Sequence, residues 1–173
     1  MKTPKMNEPE NYTILFVCSG NSCRSPIAEG LLKKKLYPDY GSQLKVKSAG
    51  TLGINGNPAT LHAIAVAKEN GVDISSHVSR GVTEQLLAEA DLVIVMAEHH
   101  KEYLDRHFPR YQENVFLLKL FGLKGDKPEK INIKDPIGEN LSFYRRVLSD
   151  IDRELDRAIP QIKLFIDDKI KKN

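Results

Sequence analysis

Two short, uninterrupted apolar runs limit the folds that are open to this 173-residue chain. They cover Thr13–Val17 and Asp91–Ala97, and runs of this kind are typical of strands buried on both faces. Lys45–Gly50 and Val115–Leu118 also have the composition of strands. Strands buried on both faces belong to parallel sheets that helices cover, so the sequence predicts a central sheet of four parallel strands.

Helical segments lie between these runs. Ser25 is a good N-cap, so we predict a helix from Ser25 to about Tyr37, with Pro26 at its first position. A second helix is predicted to begin at Asn57-Pro58 and to end at Asn70-Gly71. The alternation of strands and helices predicts an α/β fold, a three-layer sandwich with helices on both faces of the sheet.

The last part of the chain is predicted to be one helical stretch. Apolar residues recur at helical spacing from Leu141 almost to the C-terminus, and Pro160 predicts a kink or a break within it. No linker or internal repeat divides the chain. We therefore expect a flexible leader over residues 1–11 and a single domain over residues 12–173.

Composition argues against several classes of protein. The net charge is only +3 and the basic runs are short, which is typical of a solvated surface and not of a nucleic-acid interface. Two cysteines cannot form a disulfide framework, and no secretory signal or membrane-length apolar run is visible. We expect a cytoplasmic protein without a membrane or nucleic-acid partner, either monomeric or a weak dimer.

The loop Cys18–Arg24, which reads CSGNSCR, joins the first strand to the first helix. Backbone N–H groups and the helix dipole favour an anion at such a junction. Gly20 and Asn21 tolerate the left-handed dihedrals that a tight cradle needs, and Arg24 adds a planar fork for two phosphate oxygens. The same field stabilises a thiolate, so the loop predicts a phosphate site with Cys18 as the nucleophile.

The pattern C-x5-R-S between a strand and a helix, in the form CSGNSCRSPIAEG, resembles the low-molecular-weight protein tyrosine phosphatases. Four further segments fall where that family has matching ones: Ser48–Thr51, Gly71–Arg80, Leu86–Met96 and Asp135–Tyr144. The resemblance thus covers most of the chain. It implies a protein phosphatase that needs no cofactor or metal and acts on phosphorylated proteins, with inorganic phosphate or other oxyanions able to occupy the loop.

The resemblance also implies roles for individual residues. Cys18 matches the nucleophile that forms a cysteinyl-phosphate, Arg24 the clamp on the phosphoryl oxygens, and Asp135 the general acid and base. Ser25 matches the hydroxyl that hydrogen-bonds the sulfur. Asn21 matches the strained loop residue, and Ser48 and His77 match the partners that hold it. The remaining positions of the phosphate-binding loop are Ser19, Gly20, Ser22 and Cys23.

Cys23 has two interpretations. In the resembled family the second cysteine can trap the first as a reversible disulfide, which would make Cys18 redox-sensitive. The alternative is a small residue packed beneath the loop. The sequence leaves both open.

The acceptor residue is the open question. Phosphotyrosine is the expected substrate, but tyrosine-specific members have a bulky aliphatic residue where this chain has Ser22, and relatives acting on phosphoarginine have a small polar one. The segments after Ser48-Ala49-Gly50 and Asp135-Pro136 supply no aromatic wall. Phosphoarginine is therefore the alternative substrate, with Ser22 as the selector.

Two other functions are less consistent with the sequence. Arsenate reductases on this fold relay a disulfide through further cysteines, and this chain has none after Cys23. A non-catalytic phosphate-binding module needs neither the thiol nor the Asp135 carboxylate. The segment Glu98–His107 contains three histidines that do not share one helix face at metal-binding spacing, so we expect a solvated helix there.

Overall fold

The computed structural model describes residues 11–171, so all but the last residue of the leader expected over residues 1–11 lies outside the described range. The strands are β1 (Tyr12–Cys18), β2 (Leu44–Gly50), β3 (Leu92–Val95) and β4 (Val115–Leu117). The helices are α1 (Arg24–Tyr40), α2 (Leu61–Glu69), α3 (Glu84–Glu89), α4 (Glu98–His107) and α5 (Leu141–Lys171). Two short 3₁₀ helices cover Gly41–Gln43 and Pro109–Asn114.

The four described strands form one sheet in the order β2-β1-β3-β4, and every neighbouring pair is parallel. This confirms the predicted sheet. The chain leaves β1 to form β2 on one side and later returns to form β3 on the other. Such a reversal opens a crevice at the carboxyl ends of the strands, and Cys18 is the last residue of β1.

Both faces of the sheet are covered, which confirms the three-layer sandwich. Ile14 and Phe16 of β1 lie in a core cluster built with α1, α2 and α5. Leu15 and Val17 point to the opposite face and lie in a second cluster with residues of α3 and α4. Strand residues alternate between faces, so a strand buried on both sides must be apolar at every position.

The start of α1 differs from the prediction. The helix begins at Arg24, and the N-cap position is Cys23, whose side chain makes no capping hydrogen bond. Ser25 is not the N-cap, because its hydroxyl lies against Cys18 and Asn21 instead. Pro26 is the third helical residue, still within the first turn, where N–H groups have no helical partner. The helix also continues past Tyr37 to Tyr40.

The predicted start of α2 at Asn57-Pro58 is wrong. The helix begins at Leu61, after Thr60, whose hydroxyl accepts a hydrogen bond from the N–H of Ala63. Pro58 instead forms an isolated antiparallel bridge with Val78. The predicted end is correct, since Asn70 is the C-cap.

The break considered at Pro160 does not occur. α5 runs without interruption for 31 residues. Pro160 is on the exposed side of the helix, while Ala158 and Ile162 on either side of it are fully buried. Packing of this buried stripe outweighs the hydrogen bond that a proline removes.

The segment between β4 and α5 is anchored where it reaches the carboxyl edge of the sheet. The N–H of Ile133 donates to the carbonyl of Met96, just after β3, at 2.8 Å. The side-chain oxygen of Asn132 accepts from the N–H of Glu98, also at 2.8 Å. These contacts bring Asp135 to the end of the sheet where β1 delivers Cys18.

Candidate active site

The loop after β1 has its carbonyl groups turned outward. Four of them accept or share hydrogen bonds with groups outside the loop. The pairs are Cys18 O with Thr51 N–H (2.9 Å), Ser19 O with Leu52 N–H (3.0 Å), Ser22 O with Thr60 N–H (3.0 Å) and Asn21 O with His77 Nε2 (2.7 Å). In a trans peptide the N–H points away from the C=O, so the following N–H groups face the interior of the loop. This is the backbone cradle that an oxyanion needs.

Gly50, at the end of β2, permits the close approach of this loop. A Cβ atom on Gly50 would lie 2.4 Å from the carbonyl oxygen of Ser19 and 3.0 Å from the backbone nitrogen of Asn21. Any other residue would push the loop away from the sheet edge. The sequence identified the segment containing Gly50 by resemblance, but not this reason for the glycine.

The sulfur of Cys18 is buried at the base of the loop, 2.9 Å from the hydroxyl oxygen of Ser25. The same hydroxyl oxygen accepts a hydrogen bond from Nδ2 of Asn21 at 2.9 Å. Because Asn21 donates to Ser25, the Ser25 proton remains available to donate to the sulfur. A hydroxyl donor at this distance stabilises a thiolate and a departing sulfur.

Asn21 is the one non-glycine residue with positive φ within residues 11–171, at 53°. Gly20 does not use the left-handed conformation that the sequence suggested for it. Four contacts hold the strained Asn21. They are the bonds from Nδ2 to Ser25 and to Ser48 Oγ (2.9 Å), the bond from Arg80 N–H to Oδ1 (3.0 Å), and the contact of its carbonyl with His77.

Ser48 extends this buried network to α1, because its hydroxyl donates to the carboxylate of Glu29. The sequence indicated Ser48 and His77 as partners of Asn21, and both lie within hydrogen-bond distance of it. It did not indicate Arg80 or Glu29. Arg80 contacts Asn21 through its backbone N–H, which no side-chain pattern marks, and Glu29 reaches the network through Ser48 of a different element.

Arg24 is 2% exposed, and its guanidinium reaches toward the loop that carries Asp135. Nη1 donates to the carbonyl of Ile133 at 3.0 Å, and Nη2 donates to Oδ2 of Asp135 at 3.0 Å. The Asp135 side chain is 46% exposed, so the carboxylate stands at the mouth of the site. The structure thus brings Cys18, Arg24 and Asp135 around one cavity.

His100 is a component of the site that the sequence interpretation missed. We expected a solvated helix over Glu98–His107, and this is wrong at His100, which is fully buried. Its Nε2 lies 2.8 Å from the hydroxyl of Ser19, which in turn accepts from Nη2 of Arg24 at 3.3 Å. Burial, together with the nearby charge of Arg24, lowers the pKa of His100 to about 3. The ring is therefore neutral at physiological pH.

Cys23, within the same loop, is also buried. Its sulfur is 3.4 Å from the hydroxyls of both Thr60 and Tyr144. Burial and the hydrogen bond with Cys23 raise the pKa of Tyr144 to about 12, so the phenol stays protonated. Both cysteines are free thiols, and their reversible pairing on oxidation remains a prediction.

The mouth of the cavity is lined by aliphatic and small polar side chains. The cavity has a volume of about 190 Å³ and extends from Cys18 and Arg24 to Asp135. Its outer residues, among those the structure describes, are Ser22, Leu52, Ile54, Asn57 and Ile137. No aromatic ring is among them, in keeping with the two loops identified in the sequence.

Two further properties follow from the part of the chain that the structure covers. No helix in residues 11–171 has the length and apolarity required to cross a membrane. Over the same residues, no three His, Cys, Asp or Glu side chains are grouped in a way that could hold a metal ion.

Comparisons with known proteins agree with the geometry. The family model described as low molecular weight phosphotyrosine protein phosphatase matches residues 13–168. A protein-arginine-phosphatase of Bacillus subtilis (strain 168) is 36% identical over 152 residues, which are 87% of this chain and 96% of the relative. A probable low molecular weight protein-tyrosine-phosphatase of Ralstonia nicotianae, EpsP, is 34% identical over 151 residues, which are 87% and 96% of the two chains.

Solved structures give the same result. A low molecular weight protein tyrosine phosphatase from T. tengcongensis superposes with a TM-score of 0.77 at 37% identity, over 87% of this chain and 99% of the other. The YwlE arginine phosphatase from Geobacillus stearothermophilus gives 0.76 at 34% identity, over 88% and 94% of the two chains. These matches confirm the resemblance found in the sequence: the chain belongs to the low molecular weight phosphotyrosine protein phosphatase family.

Proposed function

We propose that this protein hydrolyses phosphotyrosine in proteins through a cysteinyl-phosphate intermediate. One observation carries the proposal. The sulfur of Cys18 lies 2.9 Å from a serine hydroxyl, at the base of a cavity that Arg24 and Asp135 also line. A nucleophile, an oxyanion clamp and a proton donor are the groups that phosphoryl transfer to a thiolate requires.

In the first step the Cys18 thiolate attacks phosphorus in line with the leaving oxygen. The loop N–H groups and the Arg24 guanidinium bind the three other phosphoryl oxygens. Asp135, protonated at this stage, donates its proton to the tyrosine oxygen as the P–O bond breaks. The products of the step are neutral tyrosine, a cysteinyl-phosphate and an Asp135 carboxylate.

In the second step the Asp135 carboxylate removes a proton from a water molecule that attacks phosphorus from the side the tyrosine has left. The S–P bond breaks, and inorganic phosphate and the Cys18 thiolate are released. The Ser25 hydroxyl stabilises the departing sulfur, because Asn21 occupies its oxygen as a donor and leaves its proton free. The exposed position of Asp135 supports this exchange of protons with substrate and water.

Phosphoarginine is the second candidate substrate, and the rim of the cavity is the observation that favours it. A phosphotyrosine ring would pack there against Leu52, Ile54 and Ile137, without the aromatic stacking that is worth about 0.5–1.5 kcal/mol. Ser22 and Asn57 offer polar side chains that can accept hydrogen bonds from a guanidinium. For this substrate Asp135 would protonate the leaving nitrogen.

The test is release of inorganic phosphate from a phosphotyrosine peptide and from a phosphoarginine protein, assayed side by side. Turnover that is lost in Cys18→Ser supports the cysteine mechanism. A wild-type preference for phosphotyrosine supports the first substrate. A preference for phosphoarginine that moves toward phosphotyrosine in Ser22→Ile assigns the second. If neither substrate is hydrolysed while phosphate still binds, the proposal is wrong and a phosphate-binding module replaces it.

A further inference from the structure

His100 holds a buried polar atom that the mechanism does not explain. The ring is 0% exposed, and its Nε2 contacts Ser19 Oγ at 2.8 Å. Its Nδ1 is buried without a hydrogen-bond partner among residues 11–171. A buried histidine of this kind must take one of two neutral tautomers, and the choice determines what Ser19 can do.

The proton is better accommodated on Nε2. On Nδ1 it would be a buried N–H donor without an acceptor, which is rare and costly in folded proteins. The positive charge of Arg24, on the far side of Ser19, also disfavours a protonated ring, in accord with the low pKa of about 3. With the proton on Nε2, the ring donates to the Ser19 hydroxyl oxygen.

Ser19 then has both of its lone pairs occupied. It accepts from His100 Nε2 at 2.8 Å and from Arg24 Nη2 at 3.3 Å. A hydroxyl has two acceptor positions and one proton, so only donation is left to it. Ser19 lines the same cavity as Cys18, so this proton is available to a phosphoryl group that binds there.

We propose that His100 is a positioning residue that makes the Ser19 side chain an obligatory hydrogen-bond donor to an oxygen of the phosphoryl group. This rests on the proposed function, since the phosphoryl group is that of its substrate. Ser19 thereby adds a side-chain donor to the backbone cradle. His100, on α4, contacts Ser19 and acts only through it.

The first test is the tautomer itself. The ¹⁵N chemical shifts and long-range ¹H–¹⁵N couplings of His100, measured by NMR on the whole protein, report which ring nitrogen carries the proton. We expect protonation on Nε2 between pH 6 and pH 8, a range chosen to lie well above the pKa of about 3. Protonation on Nδ1 would overturn the proposal, because Ser19 would then donate to His100 and not to the ligand.

The second test measures binding of inorganic phosphate by calorimetry. Because binding does not require turnover, a failure of this proposal can be distinguished from a failure of the proposed function. A hydrogen bond to a charged oxygen predicts that Ser19→Ala weakens phosphate binding roughly tenfold. His100→Asn should weaken it similarly, and His100→Gln less, because only the longer amide reaches the position of Nε2. His107→Asn, at an exposed histidine on the same helix, is the matched control and should leave the affinity unchanged.

The double variant separates positioning from general damage to the fold. If His100 acts through Ser19, then His100→Asn adds no further loss of phosphate affinity in the Ser19→Ala background. The proposal would be contradicted if His100→Asn reduced phosphate affinity equally in the wild-type and the Ser19→Ala backgrounds. It would also be contradicted if Ser19→Ala left phosphate affinity unchanged. Thermal unfolding of each variant identifies any that fail to fold, and in that case Ser19→Ala and the tautomer measurement still decide.

Discussion

The base and the rim of the cavity are built in opposite ways. At the base, Cys18, Asn21, Arg24 and Ser25 are each no more than 2% exposed. Hydrogen bonds join Ser25 to Cys18 and Asn21, and Arg24 to Ser19 and Asp135. At the rim, the exposed fractions are 65% for Leu52, 39% for Ile54 and 57% for Ile137. The base is a buried polar network, and the rim combines these exposed aliphatic side chains with the polar Ser22 and Asn57.

This difference separates chemistry from recognition. Each polar group of the base must keep its partners, because a buried group left without one costs about 1–3 kcal/mol. The exposed rim residues need few such partners. Substitutions at exposed positions usually change the free energy of unfolding by less than about 0.5 kcal/mol. The residues that line the base are therefore constrained by the stability of the fold. The rim residues, which would contact the rest of the substrate, are not.

Asp135 links the two regions, so its replacement should lower kcat strongly. Asp135→Asn keeps the shape but cannot donate or accept the transferred proton, and we expect kcat to fall by about 10²–10⁴-fold on a phosphotyrosine peptide. The loss should be much smaller for an aryl phosphate such as p-nitrophenyl phosphate, whose leaving group needs no proton. Steady-state assays on both substrates test this, and an equal loss on the two would contradict the acid role.

Because His100 is buried, the pH dependence of the free energy of unfolding tests what burial of the polar groups at the base costs. The pKa of His100 is lowered to about 3 in the folded protein, so the unfolded chain binds a proton below its ordinary pKa of about 6.5 while the native state does not. Stability therefore falls on acidification. Between pH 7.5 and pH 5 the free energy of unfolding should fall by about 2 kcal/mol for this reason, and this fall should be missing in His100→Gln. Urea unfolding at the two pH values measures it, and equal pH dependence in both proteins would refute it.

Asn21 and Leu52 give a matched pair for the stability of base and rim. Asn21→Gly retains a residue that accepts positive φ but removes three side-chain hydrogen bonds, so we expect the free energy of unfolding to fall by about 1–3 kcal/mol. Leu52→Ser at the exposed rim should change it by less than about 0.5 kcal/mol. Urea denaturation of both variants gives the comparison, and similar losses would show that the two regions are equally constrained.

Ile137 should show the smallest effect, and only on binding of substrate. Ile137→Ala removes aliphatic surface from the rim, and we expect KM for a phosphotyrosine peptide to rise about threefold with kcat unchanged. Inhibition by inorganic phosphate, which does not reach the rim, should be unaffected. A fall in kcat would mean that Ile137 also positions the neighbouring Asp135, whose Oδ1 accepts from the Ile137 N–H.

The local part of the site could be predicted because one short stretch of chain builds it. Cys18, Asn21, Arg24 and Ser25 lie within eight residues, between a strand and a helix that their own neighbours specify. The apolar runs indicated the sheet for the same reason, since burial on both faces leaves a signal at every position. Asp135 was identified by resemblance, not by any local pattern.

Contacts between distant segments decided the rest. Ser19 and His100 are 81 residues apart, and nothing in the segment Glu98–His107 marks His100 as the one buried histidine. The unbroken α5 through Pro160 likewise depends on packing and not on local propensity. The Thr60 N-cap before α2, by contrast, is a local signal that the prediction missed. Local sequence is enough to locate the phosphate loop and the groups that it offers. Which distant side chains complete the site depends on the fold, because burial and hydrogen-bond partners are properties of the folded chain and not of its local pattern.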